Sequence, residues 1–95
     1  MTGHVFHPGH HELHGITVVL RTTDRQVFIG RFDSVDERGV RMMAVSTFDS
    51  ARDGSEAEFL ARTGKFGVRV DAPRLIVDGQ VVASITPLLE EIGAA

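Results

Sequence analysis

Residues 16–32 read ITVVLRTTDRQVFIGRF, and this stretch decides the fold. Ile16, Val18 and Leu20 fall on one side of an extended chain and Thr17, Val19 and Arg21 on the other, the period-two pattern of a strand with one buried and one half-wet face. Thr23, Asp24 and Arg25 read as a polar turn, and the β pattern resumes over residues 27–32, so the two strands form a hairpin. Gly30 sits inside the second strand, where β propensity disfavours it, and marks a bulge or a sharp bend. Moving outward, Asp36, Glu37, Arg38 and Gly39 make a tight turn with Gly39 supplying positive φ, and residues 40–48 follow as a third strand. These strands make a meander. Met42 and Met43 are adjacent in the third, so only one of them can face the core.

Beyond the meander lies an inserted loop and helix, residues 49–65. Ser55 and Glu58 have the spacing of a capping box, which predicts a short surface helix over residues 56–62 with Gly64 as its left-handed cap. Phe66, Val68, Val70 and Ala72 alternate with other residues, which predicts a fourth strand over 66–72, broken at Pro73 and resuming over 75–77. Asp78 and Gly79 form the preferred pair for a type I′ hairpin, leading to a fifth strand over 81–86 that Pro87 stops, and residues 88–92 make a last helical turn. Residues 1–14 differ from all the rest. They hold all five histidines, and Pro8 suits the first turn of a short N-terminal helix anchored on the core by Leu13. Residues 15–92 are then one domain, as a 95-residue chain leads one to expect.

Composition narrows the function. Ten Lys and Arg against thirteen Asp and Glu give a net charge of −3, the wrong sign for strong non-specific binding to phosphate backbones. With no cysteine there is no disulfide, no thiolate nucleophile and no Cys-based metal site. No apolar run approaches the roughly 20 residues of a membrane span, and no signal-peptide stretch opens the chain, so no membrane association and a cytoplasmic location are expected.

Five short, strongly bent strands after a short helix suggest a small, mainly β, SH3-like barrel. Residues 16–45 also resemble the first motif of the Sm-like family, with Gly30 midway in the second strand and Asp36 opening the next loop; residues 75–85 resemble the second, through Gly79 and Ile85. The two motifs cover roughly 40 residues of degenerate hydrophobic pattern, specific only in their combined order and spacing. The resemblance implies an Sm-like barrel, self-assembly into a ring by edge-strand pairing, here through 66–72 and 81–86, and a nucleic-acid contact at Asp36, Arg38, Gly39 and Gly79. It also implies that RNA binding is weak. The loop after Asp36 has Arg38 and Gly39 and no asparagine, and acidic Asp78 stands at the family's basic position. Phe28, Phe32, Phe48 and Phe66 are assigned to the core, leaving few aromatic platforms for bases.

A second reading is a metal-binding protein. His7, His10, His11 and His14 include pairs at three- and four-residue spacing that can put two imidazoles on one zinc or nickel ion, although His11-Glu12-Leu13-His14 is one residue short of the zinc-protease pattern. The alternative for the cluster is a polar tail without a specific ligand. The arginines at 31, 38, 41, 62, 69 and 74 read as solvated surface. Neither Asp33 with Asp36 nor Glu90 with Glu91 has a setting that separates two pKa values, and no nucleophile and base pair is visible, so no enzyme is expected.

Overall fold

A computed structural model of the protein describes residues 13–93. Five strands, β1 (Thr17–Thr22), β2 (Val27–Asp36), β3 (Gly39–Thr47), β4 (Ala72–Val77) and β5 (Val82–Pro87), form one antiparallel sheet in the order β4-β3-β2-β1-β5. Three helices accompany it: α1 (Ser50–Asp53), α2 (Glu56–Phe66) and α3 (Leu88–Gly93). Leu13 packs on the sheet's inner core, while the expected helix before it and the other four histidines lie outside the described residues.

The sheet curls because β2 and β3 are both irregular. Ile29 pairs with Ser46 but Arg31 pairs with Met43, so β3 carries one extra residue opposite Gly30. Ala44 takes φ 54° in that bulge, and a Cβ on Gly30 would stand 3.0 Å from the Val45 side chain and 3.1 Å from the Met43 carbonyl. The glycine lets the bent strands approach. A second irregularity follows between Phe32 and Ser34. The result is a single inner core of Val18, Leu20, Phe28, Phe32, Val40, Met42, Val45, Val77 and Val82, in which β4 and β5 both take part from opposite ends of the sheet.

The outer face of β1 is half-exposed at Thr17 and Arg21, as expected, but closed between them. Val19 is fully buried there with Val27 and Ile29, under Phe59 of α2 and Leu88 of α3. The inserted helix therefore closes a second core, and Phe59 stacks on Phe48 at 5.2 Å. Its capping box forms as expected, with the Glu58 amide donating to Ser55 Oγ and the Ser55 amide to Glu58 Oε1. The helix runs on through Gly64 to Phe66, however, and Gly67 at φ 90° ends it.

Three expectations need correction as a consequence. Residues 66–71 are not a strand: Phe66 ends α2 and stands 75% exposed rather than in the core, and β4 is Ala72–Val77 with Pro73 inside it. Pro73 is tolerated because β4 is an edge strand. Asp78-Gly79 does not close a hairpin, since β4 and β5 occupy opposite edges; Asp78 instead caps a 3-10 turn, Gly79–Val81, by accepting the Gln80 amide at 2.9 Å.

Candidate functional site

The sheet register brings together the loops that carry Asp36, Arg38, Gly39 and Gly79. Val40 pairs with Val77, so the β2–β3 turn lies against the end of β4 and the 3-10 turn that follows. Gly39 is required there. Its φ is +138°, and a Cβ would stand 2.1 Å from the Val77 carbonyl oxygen and 3.1 Å from Asp78 Cα. Asp36, the last residue of β2, accepts the Arg38 amide at 2.8 Å and pairs with Arg41 at 3.2 Å. The Arg38 amide, and next the Arg41 charge, hold the Asp36 carboxyl below the usual carboxylate range. Both carboxylates of this corner, Asp36 and Asp78, thus accept backbone amides of their own turns. Arg38 is exposed and has no ion pair among the described residues. The corner can offer one guanidinium to an anion, beside the opposing charge of Asp78.

The second candidate is the pair of sheet edges. β4 and β5 are each paired on one side only, to β3 and to β1. β5 reads VASITP without a charge, and β4 reads APRLIV with Arg74 as its one charge and Pro73 limiting how far pairing can extend, so the β5 edge is unprotected and the β4 edge only lightly protected.

His14 donates from Nδ1 to the Asp33 carbonyl at 2.6 Å, which leaves Nε2 as its free ring nitrogen. Among the described residues no group of three or more His, Asp or Glu side chains is arranged to hold a metal. His7, His10 and His11 lie outside them.

Two charge clusters hold the helices to the sheet. Arg21 of β1 donates to Glu91 of α3 through Nη1 at 2.8 Å and Nη2 at 3.1 Å, and to Glu56 of α2 through Nε at 3.0 Å and Nη2 at 2.7 Å. These bonds raise the Arg21 pKa further and lower that of Glu91, so one guanidinium ties both helices to the sheet. Asp53, 1% exposed, accepts from Arg52, from the Asp49 amide and from Arg69, which hold it well below the usual carboxylate range despite its burial. Arg69 also grips Asp71, and the Thr47 amide donates to Asp71 at 2.9 Å, so the insert is pinned to the end of β3. Arg69 is therefore an organising residue and not free surface. Among the sequence signals, only the proximity of unlike charges at 52, 53, 69 and 71 hinted at this, and nothing pointed to Arg21.

A five-stranded, bent antiparallel sheet with two irregularities along the pairing of its second and third strands, and a short 3-10 turn between strands four and five, defines an Sm-like fold. Solved structures agree. A heptameric archaeal Sm protein superposes with a TM-score of 0.59 at 15% identity, covering 85% of this chain and 97% of that one. The Pyrobaculum aerophilum SmAP1 heptamer gives 0.56 at 15% identity over 81% and 84% of the two chains. A further Sm-like archaeal protein from Pyrobaculum aerophilum gives 0.53 at 14% identity, covering 92% of this chain and 50% of that one. At these identities the likeness is one of fold. No family profile and no curated protein matches the sequence.

Proposed function

We propose that the protein is a non-enzymatic Sm-like module that closes into a homo-oligomeric ring, β4 of one copy adding to β5 of the next, and that it contacts RNA no more strongly than a non-specific binder. The observation that carries this is the pair of uncharged or nearly uncharged strands left at the two edges of one sheet. An edge of that kind is an aggregation site unless another chain covers it, and two complementary edges on one molecule support head-to-tail assembly, which forms a ring where the rotation from copy to copy closes. The two heptamers of the same fold support the reading. Weak RNA contact is supported by the composition of the corner, where the exposed Arg38 shares two adjoining turns with the carboxylates of Asp36, Glu37 and Asp78. The perturbed carboxylates Asp36, Asp53, Asp71 and Glu91 are all lowered, the reverse of what a general acid requires.

Sedimentation and native mass spectrometry of the untagged protein test the assembly. A single ring species at micromolar concentration is expected; a monomer there refutes the proposal.

A further inference from the structure

Arg31 and Arg74 make no side-chain hydrogen bond or ion pair among the described residues, whereas Arg21, Arg41, Arg52 and Arg69 each grip a carboxylate. Register places the two free arginines in one row. Arg31 of β2 pairs with Met43 of β3, and Met43 pairs with Arg74 of β4. Their strand neighbours Phe32 and Met42 point into the inner core, so by alternation the row lies on the outer face. Strands lie about 4.8 Å apart, which sets the two arginine Cα atoms roughly 10 Å from each other with Met43 between them. The helices leave this row open. They cover Val19, Val27 and Ile29, but Arg31, two residues further along β2, is exposed, and so is Arg74.

Two clefts flank the row and meet at Asp33 and Met43. One, of about 240 Å³, has His14 and Arg31 on its walls; the other, of about 380 Å³, has Arg41 and Arg74. Arg41 is already held by Asp36 at 3.2 Å, which leaves Arg31 and Arg74 as the unneutralised cations. The acceptors are the Asp33 carboxylate and His14 Nε2, since His14 Nδ1 is bonded to the Asp33 carbonyl at 2.6 Å. Forked guanidinium donors match the oxygens of a phosphoryl group. The Asp33 carboxylate repels an anion placed on it, but it accepts from a hydroxyl. The mixed set therefore selects a ligand with a phosphoryl group at one end and hydroxyls at the other.

We propose that the outer face of β2, β3 and β4 binds a small sugar or polyol phosphate, its phosphoryl group between Arg31 and Arg74 over Met43 and its hydroxyls on Asp33 and His14. The site lies within one chain and is separate from the Asp36–Asp78 corner, so it stands whether or not copies close into a ring.

Isothermal titration of the full chain with ribose 5-phosphate, inorganic phosphate and oligo-uridine, at constant ionic strength, tests this. Saturable binding of one ribose 5-phosphate per chain is expected, tighter than that of inorganic phosphate. Arg31→Gln and Arg74→Gln, both at exposed positions, should each weaken it about tenfold, the loss expected for a charge-assisted contact. Asp33→Asn should erase the preference for ribose 5-phosphate over inorganic phosphate. Arg38→Gln, a free arginine outside both clefts, should change nothing. Thermal melts of the variants check that each is folded. No saturable binding by wild type would overturn the proposal, as would an equal loss in Arg38→Gln, which would show general charge attraction only. Oligo-uridine binding that is tighter than that of ribose 5-phosphate and lost in Arg31→Gln would also overturn it and make this face an RNA surface.

Discussion

Replacing Gly39 with alanine places a methyl group where the backbone of the neighbouring strand already is. The new Cβ would stand 2.1 Å from the Val77 carbonyl oxygen and 2.9 Å from its carbon, and both are main-chain atoms that cannot rotate away. Holding alanine at φ +138° costs on the order of 1–3 kcal/mol. Relieving the clash requires parting β3 from β4 at the Val40–Val77 pair, which sacrifices one or two ladder hydrogen bonds at about 1 kcal/mol each. The expected total is about 2–5 kcal/mol. Gly67→Ala provides the matched control, because Gly67 also has positive φ, +90°, but its Cβ would meet nothing within 4 Å. Urea titration of both variants and the wild type, at one protein concentration so that assembly is held fixed, reads the difference. With a slope of about 1–3 kcal/mol per molar urea, Gly39→Ala should lower the midpoint by at least about 0.7 M, and its loss of stability should exceed that of Gly67→Ala by about 1–2 kcal/mol. Equal loss in the two variants, within about 0.5 kcal/mol, would refute the close approach of the β2–β3 turn to the end of β4.

Other outcomes follow from the charge clusters and the loop corner. Asp53, Asp71 and Glu91 titrate lower in the folded protein than in the unfolded chain, so their stabilisation is present above pH about 4 to 4.5, the unfolded carboxylate range, and disappears as pH falls below it; thermal melts should drop steeply there, and Asp53→Asn should flatten that slope. Arg21→Ala should cost about 1 kcal/mol and deprotect amides of α3 and the first turn of α2 in hydrogen exchange, and Arg21→Lys should restore little because an ammonium cannot grip Glu56 and Glu91 together. Oligo-uridine should bind no tighter than roughly 10⁻⁵ M at physiological salt, and fluorescence anisotropy showing sub-micromolar affinity with preference over oligo-cytidine would contradict the reading of the Asp36–Asp78 corner.

The parts of the fold legible in the sequence are those written in local pattern. The alternation of residues 16–21, the misplaced Gly30 and the Ser55–Glu58 spacing each map onto an element the structure contains. Errors arose where one residue type serves two purposes. Gly64 looks like a helix cap, yet it stays inside α2 because its missing side chain admits Ile92 of α3: a Cβ there would lie 2.6 Å from Ile92 Cδ1. Missing the cap extended the helix to Phe66 and removed the first half of the expected strand. Asp78-Gly79 carries a hairpin signal, but long-range pairing sends the flanking strands to opposite edges, so the turn chemistry is spent on a 3-10 turn. The sequence pattern predicts an edge strand at 66–72, and the structure has that edge at Ala72–Val77. Of the candidate site, Asp36, Gly39 and the turn at Gly79 could be grouped because their motif spacing encodes the Val40–Val77 register. Arg21 could not, since Glu56 and Glu91 lie 35 and 70 residues away.

The strand order has a consequence for the time course of synthesis. β1 pairs with β2 across a turn of a few residues, but its other neighbour, β5, begins sixty residues after β1 ends, at Val82 against Thr22. While the chain is being made, the meander of the first three strands can form early with β1 as a temporary border, waiting for Val82–Pro87 to leave the ribosome. Until then Arg21 has only one of its two carboxylates, and a border destined for the interior stays open to other nascent chains. A ribosome stalled before Val82 should therefore display a protease-sensitive, chaperone-binding intermediate that disappears once β5 emerges.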